Sequence, residues 1–252
     1  MSLVSIKRWM FVIFLLYLAG CGSTPSSYIS TYTTYQGGLY QISLSGEKQE
    51  IVPPNNIHKS LLAWSPNRTI LAYIEDKYTP KWTESLFVVN ADGSDVRRLF
   101  GPANPLLYSW EDDRTLYVEE AVSYTRIPFD TDSIIKAYLI DVTNGAVHET
   151  QKKQREKPTG YWSPDHQKLA DTNSTEPQRP ICVLFVATQS QKCFDAQWAM
   201  NVVAWSPDSR YIVYLGKTAD DEPDLFAIDT TSGVITNLTK DGNNGLEADI
   251  AR

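Results

Sequence analysis

Several groups of residues in this 252-residue chain have side chains suited to chemistry, and their spacing decides what each can do. Asp220, Asp221, Glu222 and Asp224 place hard oxygens close together, the donor type that Ca²⁺ takes. A solvated acidic loop accounts for them equally well, so no metal is assigned. Gly216-Lys217-Thr218 matches the end of a phosphate loop, but Tyr211 stands where the first Gly is required, and the segment follows a strand-like run instead of opening a helix. His58, His148 and His166 fall in loop- or turn-like stretches with no nucleophile word beside them, and G-x-S-x-G does not occur. Carboxylate pairs for glycoside hydrolysis can be drawn in many ways from 30 acidic residues, so they single out none. The expectation is a protein that is not an enzyme and carries no cofactor.

Composition narrows the classes further. Lys and Arg number 23 against 30 Asp and Glu, a net charge of −7. Binding to a phosphate backbone needs the opposite surplus, so no nucleic-acid partner is expected. Three His and three scattered Cys do not build a structural zinc cage. With 42% hydrophobic residues the chain has ample material for a core.

The N-terminus carries an address. Lys7 and Arg8 precede an apolar run from Trp9 to Leu18, half the roughly 20 residues that a membrane-spanning helix needs, as in a secretory signal. The run ends in Leu18-Ala19-Gly20-Cys21, which resembles the bacterial lipobox, in which the Cys receives a diacylglycerol before cleavage. A plain signal peptide or an uncleaved anchor is the alternative. The division expected is a signal over 1–20, lipidated Cys21 and a Ser/Thr/Pro-rich tether over 21–27, and one folded domain over 28–252. Cleavage would remove Lys7 and Arg8 and take the net charge to about −9, so attachment would come from acyl chains and not from attraction to anionic lipid. Gly22 stands where a retention signal carries Asp, so in a Gram-negative host the sorting rules favour the outer membrane. Otherwise the location is an exported, membrane-anchored or periplasmic one.

The rest of the chain is organised by a repeat. Trp64-Ser65-Pro66-Asn67, Trp162-Ser163-Pro164-Asp165 and Trp205-Ser206-Pro207-Asp208 are copies of one word, and Trp110-Glu111-Asp112-Asp113 is a degenerate fourth. The Trp residues are 46, 52 and 43 positions apart. Each word leads into a β-rich segment such as 69–74 or 211–215, then a polar loop, a second apolar run such as 86–89 or 225–228, and a tight Asn/Asp/Gly turn. Four strands per unit follow, in an all-β chain. Trp in this setting buries its ring between units, Pro fixes a turn entry, and Ser or Asp caps the turn amides. Trp64, Trp110, Trp162, Trp205, Pro66, Pro164, Pro207, Asp165 and Asp208 are accordingly assigned structural roles.

These words resemble the TolB-like family of β-propeller repeats, over most of residues 36–245. The resemblance implies four-stranded antiparallel blades, here about five or a shortened relative of a six-bladed ring. It also implies scaffold roles in the cell envelope, where family members contact peptidoglycan-associated lipoproteins and Tol components. That partner is not carried over, because the repeats begin almost at the tether, without the family's separate α/β domain. The motif's closing Gly is replaced by Arg68, His166 and Ser209, so the turns are expected to differ in type. The first unit lacks its inner strand, which the segment around Glu247–Arg252 is placed to supply.

Two further expectations concern sites. Loops between second and third strands are expected over about 75–85, 119–133, 171–180 and 216–223, all on one face. They carry Tyr78, Lys81, Trp82, Tyr124, Arg126, Phe129, Arg179, Asp220 and Asp221, types that anchor protein interfaces when exposed on loops. An envelope protein is the partner expected there. A small ligand or carbohydrate at the tunnel mouth, or an accessory role beside a peptidase or glycosidase, is the alternative. Cys182 and Cys193 lie on successive strands of one hairpin and form a disulfide if they face each other; alignment on Phe226–Ile235 puts them two residues out of register, which would leave two thiols.

Overall fold

The computed structural model describes residues 28–34, 36–78, 82–121, 135–153, 161–171, 180–196, 199, 203–217, 223–240 and 246–250. They form twenty strands in five four-stranded antiparallel sheets. Blade I holds β1 (Tyr28–Thr34), β2 (Leu39–Ser43) and β3 (Lys48–Val52), and its inner position is taken by β20 (Leu246–Ile250), in the order β20-β1-β2-β3. Blade II is β4 (His58–Trp64), β5 (Ile70–Tyr78), β6 (Trp82–Asn90) and β7 (Arg97–Ala103). Blade III is β8 (Pro105–Trp110), β9 (Thr115–Ala121), β10 (Ile135–Asp141) and β11 (Val147–Thr150). Blade IV is β12 (Tyr161–Trp162), β13 (Lys168–Asp171), β14 (Ile181–Phe185) and β15 (Ser190–Phe194), and blade V is β16 (Val203–Trp205), β17 (Tyr211–Lys217), β18 (Pro223–Asp229) and β19 (Ile235–Asn237). The chain is an all-β propeller of five blades, closed by pairing its last described strand with its first.

The repeated word is a turn device. Ser65 N donates to Ile70 O (2.8 Å) and Ser65 Oγ accepts from Ile70 N (3.1 Å), joining the end of the first strand to the start of the second. The same hydroxyl donates to Asn67 Oδ1 (2.9 Å), which also accepts from Thr69 N. Ser163 with Asp165 and Ser206 with Asp208 repeat the arrangement at 2.6 and 2.5 Å. The hydroxyl of Ser163 and the amide of Gln167 hold the Asp165 carboxyl below the usual carboxylate range. Arg68, His166 and Ser209 take φ of 57°, 55° and 59°, so each turn closes on a left-handed residue that is not Gly. These turns carry the strain, roughly a kcal/mol each, because the Ser and Asx bonds fix the residues on both sides.

Packing between blades uses the alternation of each strand. Three of the four indoles face the preceding blade: Trp64 Nε1 donates to Thr31 Oγ1, Trp110 Nε1 to Ala63 O and Trp205 Nε1 to Tyr161 O, at 2.9, 3.0 and 2.9 Å. Buried clusters seal blades I and II (Leu39, Ile51, Leu62, Leu71), II and III (Ala72, Ile74, Leu116, Val118), IV and V (Ile181, Val183, Ile212, Ile228), and V and I (Val213, Leu215, Ile29, Ile42). Among the described residues no such cluster joins blades III and IV. Trp162, assigned to the same structural role as the other three, is 45% exposed, against 6% for Trp64 and 8% for Trp205. The reason lies on blade III. Where blade II presents Ala72 and Ile74 to its successor, and blade V Val213 and Leu215, blade III presents Tyr117 and Glu119.

The disulfide expected between Cys182 and Cys193 is present, and two expectations, the register offset of that hairpin and the loop over 75–85, are corrected. Cys182 and Cys193 are directly opposed in the β14–β15 ladder, Cα atoms 4.0 Å apart, and joined by a disulfide. The offset inferred from blade V fails because β14 and β15 run in unbroken register from Ile181↔Phe194 to Phe185↔Ser190. The expected long loop over 75–85 is mostly strand: β5 and β6 pair without interruption from Ile70↔Asn90 to Tyr78↔Trp82. The Val, Ile and aromatic residues nearby extend the ladder past the charged Glu75, Asp76, Lys77 and Glu84.

In blade V, Asp229 Oδ2 accepts from Arg210 Nη2 (2.7 Å) and Nε (3.2 Å), while Oδ1 accepts from the amides of Thr231 and Ser232. Arg210 and these amides pull the Asp229 carboxyl down to about 2. A carboxyl depressed in the folded state adds stability above its ordinary value near 3.8 and loses it as pH falls towards 2. Asp229→Asn is expected to flatten the fall in thermal midpoint between pH 4 and pH 2. Parallel curves for the two proteins would show that the pair has no such linkage.

Candidate functional site

The propeller has two unlike faces. On one, the turns after the first strands meet the turns after the third strands: Ala91 N donates to Thr69 O, Val142 N to Arg114 O, Val186 N to Gln167 O and Thr230 N to Arg210 O. These turns use up their own polar groups. A hollow of about 480 Å³ there, lined by Asp112, Asp113, Arg114, Thr115 and Asp141, is an example. Asp112 Oδ1 accepts from Arg114 N and Thr115 N, Asp141 Oδ1 from Thr143 N and Oγ1, and Asp113 Oδ1 from Asn67 N. The Asp112 and Asp141 carboxylates cap their own turns, and Asp113 holds the neighbouring turn of blade II.

The other face gathers the connections between second and third strands with those between blades. Tyr78 ends β5 and Trp82 opens β6, opposite each other in register across 79–81. The remaining candidates for this face, Lys81, Tyr124, Arg126, Phe129, Arg179, Asp220 and Asp221, lie outside the described residues, as does Cys21.

What the described residues place at the roots of these loops is a set of buried or half-buried charges that no motif marked. Lys59, on β4, is 0% exposed. Its ammonium donates to Gly37 O (2.6 Å), Asn55 Oδ1 (2.7 Å) and Ile57 O (3.4 Å), and lies 3.5 Å from Glu75 Oε1. Burial pulls its pKa below the ordinary lysine value, and Glu75 opposes that pull. Lys59 thereby ties the β1–β2 turn of blade I and the link between blades I and II to blade II. Gly37 is required in that turn: its φ is +75°, and a Cβ would sit 1.9 Å from Ile57 O. Beside Lys59, His58 Nδ1 lies 2.6 Å from Asp76 Oδ2, and Glu84 opposes Asp76 across the β5–β6 ladder. Burial and the Asp76 charge hold the Glu84 carboxyl above the usual range. Among the described residues Asp76 Oδ1 has no hydrogen-bond partner.

Blades III and V carry comparable anchors. Tyr117 Oη donates to Glu119 Oε1 (2.7 Å), with both residues buried. Lys153 N donates to Tyr117 Oη (2.9 Å), and the Lys153 ammonium lies 5.1 Å from the Tyr117 ring centroid and contacts Glu111. Lys152 Nζ is 3.9 Å from Glu119. In blade V, Asp224, 1% exposed, accepts from Thr239 Oγ1 and Asn237 Nδ2 at 2.7 Å each. The arrangement can orient groups and hold loops; it leaves the candidate histidines apart, with His58 at this face, His148 on β11 and His166 in the Ser163–Lys168 turn. Among the described residues no group of three His, Cys, Asp or Glu is placed to hold a metal, and no helix is long and apolar enough to cross a membrane.

No family model matches the chain, and no curated protein matches it. Solved structures similar to it include TolB from Acinetobacter baumannii (12% identity, 84% of this chain and 53% of that one, TM-score 0.36). Another is an oligogalacturonate lyase from Vibrio parahaemolyticus (16%, 86% and 66%, TM-score 0.38). A third is a puromycin-hydrolysing peptidase from Mycobacterium tuberculosis (15%, 86% and 38%, TM-score 0.34). The chain thus spans about half the length of the TolB structure it resembles. Likeness at this level carries no statement about activity; the propeller assignment stands on the sheets, their register and the ring closure.

Proposed function

We propose that this chain is a non-catalytic, lipid-anchored propeller outside the cytoplasmic membrane, where it binds an envelope protein through the face that carries its strand-to-strand loops. The observation that supports this reading is the division of labour between the two faces. On one, the carboxylates of the turns are consumed as caps. On the other, loop roots are pinned by Lys59, Tyr117–Glu119 and Asp224, which is how a rigid scaffold presents recognition loops. The anchor rests on Leu18-Ala19-Gly20-Cys21, and Gly22 favours the outer membrane in a Gram-negative host.

Crosslinking in intact cells, followed by mass spectrometry of what accompanies the protein, tests the reading. A reproducible envelope protein is expected, with its capture reduced at least tenfold by Trp82→Ala with Arg126→Ala while stability stays within about 0.5 kcal/mol of the parent. Labelling of the same cells with palmitate should mark the parent and spare Cys21→Ser. Glycans recovered in place of a protein would overturn the scaffold reading in favour of carbohydrate binding, and label retained by Cys21→Ser would overturn the anchor.

A further inference from the structure

Large apolar side chains exposed one at a time are ordinary on a protein surface; several gathered on one face are not. Among the described residues the exposed ones are Leu44, Leu61, Val96, Val147, Trp162, Val234 and Ile235. Leu61 lies in the bulge of β4, and Trp162 ends β12. The other five share one place in the fold. Each stands within three residues of Gly46, Gly93, Gly145 or Gly233, the positive-φ glycines of the turns between third and outer strands, the third strand of blade I being β2. Blades I, II, III and V all contribute, and the matching turn of blade IV exposes Thr188 and Gln189. Nearer the axis on the same face, the turns between first and second strands expose Pro66 and Pro164.

The chain enters the propeller on this face. β1 runs from Tyr28, opposite Ser43 in the β1–β2 ladder, to Thr34, beside the Gly37 turn that Lys59 holds on the loop face. Ser43 opens the turn that carries Leu44, its amide donating to Glu47 O (2.9 Å). Seven residues separate Cys21 from Tyr28, so their Cα atoms are at most about 25 Å apart. β1 alone rises about 23 Å, and β2 and β3 lie outside it. A bilayer laid against the loop face is beyond that reach; one laid against the turn face is within it. Charge does not oppose the contact. The carboxylates of Asp112, Asp141, Asp165 and Asp229 are bound within their own turns, and Arg114, Lys168, Lys192 and Arg210 stand among them. On a face of mixed sign the aliphatic side chains decide, not attraction to anionic headgroups.

We infer that the turn face is seated on a lipid bilayer, with Leu44, Val96, Val147 and Val234 entering the headgroup boundary around the point of attachment. The inference rests on the acyl anchor at Cys21 proposed above. Two modest attachments combine in it: the short tether keeps the face at high local concentration beside the bilayer, so aliphatic contacts too few to hold a free protein suffice for an anchored one. The seating aims the strand-to-strand loops away from the membrane, and a partner bound through them approaches from the aqueous side.

The test places the protein purified from cell membranes in phosphatidylcholine vesicles and compares it, by carbene footprinting read with mass spectrometry, with the Cys21→Ser chain in solution. Labelling of Leu44, Val96, Val147 and Val234 should fall at least about threefold on the vesicles, with exposed Pro53, Pro54 and Asn56 on the loop face unchanged. In a variant combining Leu44→Ser, Val96→Ser and Val234→Ser, Val147 should regain its labelling while the protein stays with the vesicles. Protection over 53–56, equal labelling of the two faces, or Val147 still protected in that variant would each overturn the proposal. So would protection of the same residues in the solution chain as its concentration rises, which would put a second copy on this face. An intact mass without acyl chains would overturn the anchor alone; the chain is then coupled to a maleimide lipid through the Cys21 thiol, and the same footprint decides the seating.

Discussion

Trp205→Ala is expected to destabilise the protein by about 3–5 kcal/mol, and Trp162→Ala by less than about 1 kcal/mol, although the two residues occupy the same place in the same four-residue word. Trp205 is 8% exposed, packs among Ala170, Ile181, Val183 and Phe194, donates to Tyr161 O and lies 5.8 Å beneath the Lys168 ammonium. Its removal leaves a large cavity between two blades and takes away the bond to Tyr161 O. Trp162 is 45% exposed and has the His166 ring 6.2 Å away, so its loss opens little that is not already open. Thermal and chemical unfolding of the two variants decides the matter: the expected difference corresponds to roughly 4–20 °C in the thermal midpoint for a domain of this size. Equal losses would show that the seam between blades III and IV is as well sealed as the others.

Lys59→Ala is expected to cost about 3–5 kcal/mol, because truncating one member of a buried polar group strands the rest. Gly37 O, Asn55 Oδ1, Ile57 O and the Glu75 carboxylate all lose the same partner at once. Loosening should concentrate in the turn at Gly37 and the link at 53–57, which hydrogen exchange would localise. Lys136→Ala is the control. Lys136 and Glu149 are 41% and 61% exposed and 3.4 Å apart, and such surface pairs contribute about 0–1 kcal/mol. A Lys59 variant no less stable than the Lys136 variant would mean that water replaces the ammonium among these oxygens.

The blades were legible because their signals are local. The word at Trp64, Trp162 and Trp205 specifies a turn through bonds between residues two to five apart, and the strands beside it alternate or run apolar. The closing strand could be placed because blade I visibly lacked an inner partner. The strained φ at Arg68, His166 and Ser209 was anticipated only as a change of turn type, since it takes the three-dimensional bond pattern to show that a side chain other than Gly keeps the left-handed conformation. The candidate face was harder. Lys59 sits in an ordinary run of a strand, and its four oxygen partners come from three separate segments. The absence, among the described residues, of an apolar cluster between blades III and IV has a sequence signal that only the alignment of blades exposes: Tyr117 and Glu119 stand where other blades have Ala72 and Ile74, or Val213 and Leu215.

The pairing of β1 with β20 also decides how the ring responds to pulling. The two strands are antiparallel, with Thr34 opposite Leu246 and Tyr32 opposite Ile250, so the segments entering β1 and leaving β20 emerge at one end of the pair. Tension applied through those segments peels the pair apart rung by rung, whereas a shearing load would meet all the rungs together. The closure is therefore the fuse of the molecule under force: it parts at low tension and releases blade I before the sheets of the other blades are loaded.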